Sequence, residues 1–131
     1  MAMATLKSLQ QAILADGKID GAEVKEISKV IFADGKIDSK EANFLFALND
    51  ACSGAKNHPS WQKLFVEAIC SYLLEDDVSP GEIDKKEANW LLRKIKGDGV
   101  LDSTEKSLLR RLKKESKGMP ENLKSYIDEN I

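Results

Sequence analysis

Residues that bind transition metals are scarce in this chain of 131 residues, which has one histidine and two cysteines. Cys52 and Cys70 have no CxxC partner and His58 is the only histidine, so a structural zinc site is excluded. The sequence also lacks a glycine-rich phosphate loop, a serine elbow and an HExxH motif. These absences predict a non-enzymatic protein whose two cysteines are buried thiols in a reducing compartment.

Long apolar runs and an excess of one charge are also missing. No run approaches the roughly 18 apolar residues of a membrane helix, and the start of the chain does not have the pattern of a signal peptide. The 20 basic and 22 acidic residues give a net charge of -2, which provides no general attraction to nucleic acid or anionic lipid. We therefore expect a cytoplasmic protein without membrane insertion or nucleic-acid binding, folded as a single domain over residues 1–131.

Helical periodicity is present along most of the chain. The clearest apolar stripe steps by three and four residues through Trp61, Leu64, Phe65, Ala68, Ile69, Tyr72 and Leu73. No segment has the alternation and β-branched enrichment of a strand. The pattern predicts an all-α fold, a compact bundle of about seven helices at residues 4–15, 20–33, 38–53, 60–75, 84–96, 102–116 and 120–129.

One acidic turn occurs four times. DGKIDGAE begins at Asp16 and DGKIDSKE at Asp34, while PGEIDKKE begins at Pro80 and DGVLDSTE at Asp98. The copies of each pair begin 18 residues apart, and the second pair follows the first by 64 residues. This spacing predicts an internal duplication into two pseudo-symmetric halves, roughly residues 1–55 and 60–118.

Each copy has the composition of a helix start. Asp20 has the position of an N-cap and Glu23 that of the third helical residue, which together form a capping box. Ile19 and Val24 complete a hydrophobic staple around it. The equivalent pairs are Asp38 with Glu41, Asp84 with Glu87 and Asp102 with Glu105, and positive φ angles are expected at Gly17, Gly35 and Gly99. Each cap is worth about 1 kcal/mol, so the motif has a structural use without any ligand.

The alternative use of the motif is to bind a divalent cation. DGxIxxxE matches the second half of an EF-hand loop, but the first two ligand positions are occupied by Ala12 and Leu14. Adjacent copies are separated by a helix of roughly 20 Å, so only copies from different halves can share an ion. The acidic stretch Glu75–Glu82 is a second candidate for a cation site.

The succession of helix and DG turn resembles the TerB-like family, which is named for tellurite resistance. ADGKIDGAE, ADGKIDSKE and GDGVLDSTE carry the resemblance, which covers essentially the whole chain. It implies an all-α, cytoplasmic, non-enzymatic domain that is linked to tellurite and other stress resistance and binds partner proteins or divalent metal. Carried over by motif, the metal ligands would be Asp16, Asp20, Glu23, Asp34, Asp38, Glu41, Asp98, Asp102 and Glu105. The Pro80 copy departs from the pattern because a proline replaces the first aspartate.

Two functional hypotheses follow. The first is a binding or scaffold module of TerB-like type that acts through contacts with a protein partner. The alternative is a weak, calcium-type sensor that uses the acidic DG turns, with a divalent cation as its ligand and no other cofactor.

Overall fold

The computed structural model describes residues 8, 10–15, 17–32, 37, 39–52, 57–74, 81–96 and 102–131. Within these ranges residues 10–15 belong to a first helix, α1, and six further helices follow it. They are α2 (Gly21–Ile31), α3 (Ser39–Ala51), α4 (Pro59–Leu74), α5 (Lys85–Lys96), α6 (Ser103–Glu115) and α7 (Glu121–Asn130). The described ranges contain no strand, and a single parallel bridge joins Glu82 to Gly118. The predicted all-α bundle of about seven helices is confirmed.

The apolar stripes predicted from periodicity form the core. Buried side chains from all seven helices belong to one hydrophobic cluster, which includes Ile13 of α1 and Ile127 of α7. Trp61, Phe46 and Phe65 are its largest fully buried members. Among the helices that the structure describes, none combines the length and the apolar composition needed to cross a membrane.

Helix α4 is the centre of the packing. It contacts α2, α3 and α6, whereas α7 contacts α5 and α6. Eight of its 16 residues are buried, because a helix that is covered by three neighbours needs apolar residues on more than one face. Aromatic contacts extend this packing: the Phe46 ring of α3 meets the rings of Phe65 and Trp90 edge-on, at 4.9 and 5.5 Å between centroids.

Two glycines in the repeated turns have the left-handed backbone conformation. Gly17 has a φ of 76° and its N–H donates to the Ile13 carbonyl at 2.9 Å, which ends α1. Gly81 has a φ of 80°, so the Pro80 copy also has a left-handed glycine, which the sequence analysis does not predict. The predicted positive φ is confirmed at Gly17, whereas Gly35 and Gly99 lie outside the described residues.

Backbone hydrogen bonds tie these turns to segments that lead into later helices. The His58 N–H donates to the Ile19 carbonyl at 2.7 Å, just before α4, and the Ile83 N–H donates to the Gly118 carbonyl at 2.9 Å, shortly before α7. Each of these two turns is thus held by a segment that lies later in the chain. The pseudo-symmetric duplication of residues 1–55 and 60–118 stays a prediction.

Candidate functional site

The repeated motif forms capping boxes at the starts of α2 and α6. Asp20 Oδ1 accepts the Glu23 N–H at 2.7 Å, and Glu23 Oε1 accepts the Asp20 N–H at 3.0 Å. The same two bonds join Asp102 and Glu105 at 2.8 and 3.2 Å. The capping predicted for these two copies is confirmed, and each box satisfies two backbone donors that a helix start otherwise leaves without an intrahelical partner.

The Pro80 copy forms the same box without the first aspartate. Asp84 and Glu87 exchange bonds of 2.7 and 3.0 Å, equal to those of Asp20 and Glu23, and the turn keeps a left-handed glycine at Gly81. The proline itself lies outside the described residues. Since the turn and the cap form without an aspartate at the first position, that carboxylate is not required for the local structure.

The nine predicted metal ligands are only partly described. Asp16, Asp34, Asp38 and Asp98 lie outside the described residues, as does most of the Glu75–Glu82 stretch. Of the other five, Glu41 and Glu105 are buried, whereas Asp20 is exposed. Within the described ranges, no three His, Cys, Asp or Glu side chains are grouped as metal ligands. The divalent-cation hypothesis stays a prediction.

A buried polar network joins Asp102 to two other helices. Trp61 Nε1 of α4 donates to Asn49 Oδ1 at 3.1 Å, and Asn49 Nδ2 of α3 donates to Asp102 Oδ2 at 2.9 Å. Asp102 therefore uses one carboxylate oxygen to cap α6 and the other to hold α3. A cation at this carboxylate would compete with both hydrogen bonds, and release of Asn49, which is 2% exposed, would leave a buried amide to satisfy.

The sequence alone does not indicate this network. Asn49 is a polar residue within an apolar stripe of α3, and this was the one available signal. A buried amide needs hydrogen-bond partners, but its position alone does not say which residues supply them.

Within the described chain, the hydroxyl of Ser60 and the imidazole of His58 come closest to the pairing of a nucleophile with a base. His58 Nδ1 lies 2.7 Å from Ser60 Oγ, and it also accepts the Ser60 backbone N–H at 3.2 Å. This second bond places His58 at the start of α4, where its ring satisfies a free backbone donor. Both residues thus take part in starting a helix.

The two cysteine thiols are buried, as predicted. Cys52 is 1% exposed and Cys70 is 6% exposed, and both are free. Burial raises the pKa of the Cys70 thiol to about 12, with nearby Arg111 opposing the shift and Glu67 adding to it. Burial also raises the pKa of Cys52. Both thiols are protonated at neutral pH, and a protonated thiol is a poor nucleophile and a poor metal ligand.

A groove of about 510 Å³ runs between α2 and α4. Val24 and Leu64 are buried at its floor, and the partly exposed ring of Phe32 lines it as well. The remaining lining residues are Gly21, Lys25, Ser28, Lys29, Ser60, Lys63 and Glu67. We refer to this feature as the α2–α4 groove. The sequence did not reveal it, because a groove depends on how two helices pack and not on the periodicity of either one.

The charged rim of the α2–α4 groove is mostly basic. Lys25 and Lys29 belong to α2 and Lys63 belongs to α4, and Glu67 is the one acidic residue in the lining. Lys29 lies 3.7 Å from Glu26, in an exposed pair that adds little to stability. Lys25 and Lys63 form no ion pair with any described residue. A locally basic surface thus lies on a chain with a net charge of -2.

Comparisons of the chain with family models, with curated proteins and with solved structures found no match in any of the three.

Proposed function

We propose that this protein is a non-enzymatic helical binding or scaffold module that acts through protein contacts. The observation that carries the proposal is the α2–α4 groove, which is lined by Val24, Leu64 and the exposed ring of Phe32. Lys25 and Lys63 border it and form no ion pair with any described residue. Concave apolar surfaces with a polar rim are the usual docking sites for partner segments.

The use of the polar residues in the described chain supports the same proposal. The carboxylates of Asp20, Asp84 and Asp102 all cap helices, and the network around Asn49 joins helices in the core. These residues contribute to the fold, which leaves the exposed surface for recognition. The resemblance to TerB-like domains implies the same class of function, and we include its implied cytoplasmic location and link to stress or tellurite resistance in the proposal.

Affinity capture from the native host tests this function. The tagged protein is the bait, the tag alone is the control, and captured proteins are identified by mass spectrometry and then mixed with the bait in purified form. We expect at least one protein to be enriched repeatedly and to bind the purified bait directly. Repeated capture of nothing above the tag control would contradict the proposal.

A further inference from the structure

The two helices that form the walls of the α2–α4 groove begin next to each other. The His58 N–H, next to the start of α4, donates to the Ile19 carbonyl, next to the start of α2, at 2.7 Å. From there the groove follows α2 to Phe32. The 11 residues of α2 span about 16 Å, which is the length of three helical turns.

The walls favour a helical occupant over an extended peptide. Both walls are α-helices, whose backbone N–H and C=O groups are hydrogen-bonded within the helix. They offer no free sheet edge, so the backbone of an extended peptide would lie against Val24 and Leu64 without hydrogen-bond partners. A helix satisfies its own backbone and presents apolar residues at i, i+3, i+4 and i+7 to such a floor.

The rim indicates the charge of this helix. Lys25 and Lys63 lie on opposite walls and form no ion pair with any described residue. A docked helix would place the residues that flank its apolar stripe next to these lysines, as flanking residues do in coiled coils. Carboxylates there would complement the rim, whereas lysines would repel it. Glu67 provides one place for a basic residue of the partner and so helps to set the direction of the helix.

An anionic membrane is a poorer match to the same surface. The floor residues Val24 and Leu64 are 7% and 6% exposed, so they offer acyl chains little apolar surface to cover. Among the groove residues, Phe32 is the single large apolar side chain that is exposed, at 37%. One exposed apolar ring beside a few lysines gives a weak anchor.

We propose that the α2–α4 groove binds an acidic amphipathic helix of a partner protein, an inference that rests on the proposed binding function. The floor takes the apolar stripe of that helix. Lys25 and Lys63 take the carboxylates on its two flanks.

Three labelled peptides of about 14 residues, or four helical turns, test the inference against the full chain by fluorescence anisotropy. The first has leucines at i, i+3, i+4 and i+7 with glutamates beside them. The second replaces the glutamates by lysines, and the third has the composition of the first with the leucines scrambled. We expect the first peptide to bind at least about ten-fold more tightly than either of the others. Backbone amide shifts should map its binding to residues of α2 and α4.

Two double variants with the same change in net charge sharpen the test. Lys25→Glu with Lys63→Glu reverses the rim, whereas Lys40→Glu with Lys86→Glu changes two exposed lysines on α3 and α5. The rim variant should prefer the lysine peptide, and the control variant should keep the preference of the wild-type chain. Circular dichroism of each variant checks that it is folded.

The peptide experiments would overturn the inference if the first and scrambled peptides bound equally, if both double variants weakened binding equally, or if the amide shifts fell outside the groove. Binding to phosphatidylserine vesicles that needs Lys25 and Lys63, with no binding of the glutamate peptide, would assign the surface to a membrane. The proposed function is judged separately by capture. A directly binding partner that the rim variant captures as well as the wild-type chain would preserve the function and refute the groove assignment.

Discussion

At the scale of single residues, Asp20 separates capping from metal binding. Its side chain is exposed, and its Oδ1 accepts the Glu23 N–H at 2.7 Å. Serine can accept the same bond, so we expect Asp20→Ser to leave the free energy of unfolding almost unchanged. Asp20→Ala should lower it by about 0.5–2 kcal/mol, because the backbone donor of Glu23 loses its partner. Urea denaturation of both variants measures the difference.

The same melts test the divalent-cation hypothesis when they are repeated with EDTA and with excess Ca²⁺. If capping is the use of this carboxylate, both variants behave alike in the two buffers. If the serine variant is as unstable as the alanine variant in excess Ca²⁺ but not in EDTA, Asp20 is a calcium ligand. Capping would then be an incomplete explanation of the motif.

The raised pKa of the buried Cys70 thiol predicts that stability depends on pH in the alkaline range. Burial raises the pKa of its thiol from 9.0 to about 12 in the folded protein, so between these values the unfolded chain has lost a proton that the folded chain retains. Its contribution to stability is therefore full below pH 9 and decreases as the pH rises. Between pH 8 and pH 10 the free energy of unfolding should fall by about 1 kcal/mol more in the wild-type chain than in Cys70→Ala. Identical pH dependence in urea melts of the two proteins would contradict this.

Local patterns were predictable at this scale, whereas tertiary partners were not. The capping boxes of Asp20, Asp84 and Asp102 depend on a spacing of three residues, which can be read directly from the sequence. The bond from Asn49 to Asp102 joins residues that are 53 positions apart. The groove likewise needs side chains from two packed helices, so no single pattern in the sequence contains it.

At the scale of helices, the start of α6 is attached to α3. Asp102 Oδ2 accepts Asn49 Nδ2 at 2.9 Å while Oδ1 caps its own helix. Serine has one oxygen and can replace the cap only. We therefore expect Asp102→Ser to cost about 1–3 kcal/mol, far more than Asp20→Ser, because a buried amide loses its acceptor.

A double-mutant cycle with Asn49→Ala measures this attachment. The cost of Asp102→Ser should become smaller in the Asn49→Ala background, because the bond between the two side chains is already absent there. Urea melts of the four proteins give the coupling free energy. Equal costs in the two backgrounds, or an Asp102→Ser variant as stable as Asp20→Ser, would show that the bond contributes nothing.

Periodicity predicted which helices form, but not how they pack. The predicted ends of α2 to α7 agree with the structure to within about two residues, because stripes and caps define each helix locally. Periodicity also identified buried positions such as Leu64 and Ile69 of α4. It did not show that α4 packs on α2, α3 and α6, since a stripe identifies the buried face of a helix and not its neighbours.

At the scale of the whole molecule, α4 connects the two predicted halves. The boundaries inferred from the repeated motif place α4 in residues 60–118, yet α4 packs on α2 and α3 of residues 1–55 as well as on α6. Buried residues from both halves form one hydrophobic cluster. Neither half has a complete core of its own, so we expect the chain to unfold as one cooperative unit.

The two tryptophans allow a direct measurement of this cooperativity, because Trp61 lies in α4 and Trp90 lies in α5. In the Trp90→Phe variant the only tryptophan is Trp61, which reports on α4. In the Trp61→Phe variant it is Trp90, which reports on α5. Trp90→Phe removes the indole hydrogen bond to Asn43 at 3.2 Å, and Trp61→Phe removes the one to Asn49 at 3.1 Å. The unfolding midpoint of both variants should therefore shift to lower urea concentration. Within each variant, fluorescence and far-ultraviolet circular dichroism should still give the same midpoint, since every helix depends on the one core. A fluorescence midpoint that differs from the dichroism midpoint in either variant would mean that α4 and α5 belong to separately folding units.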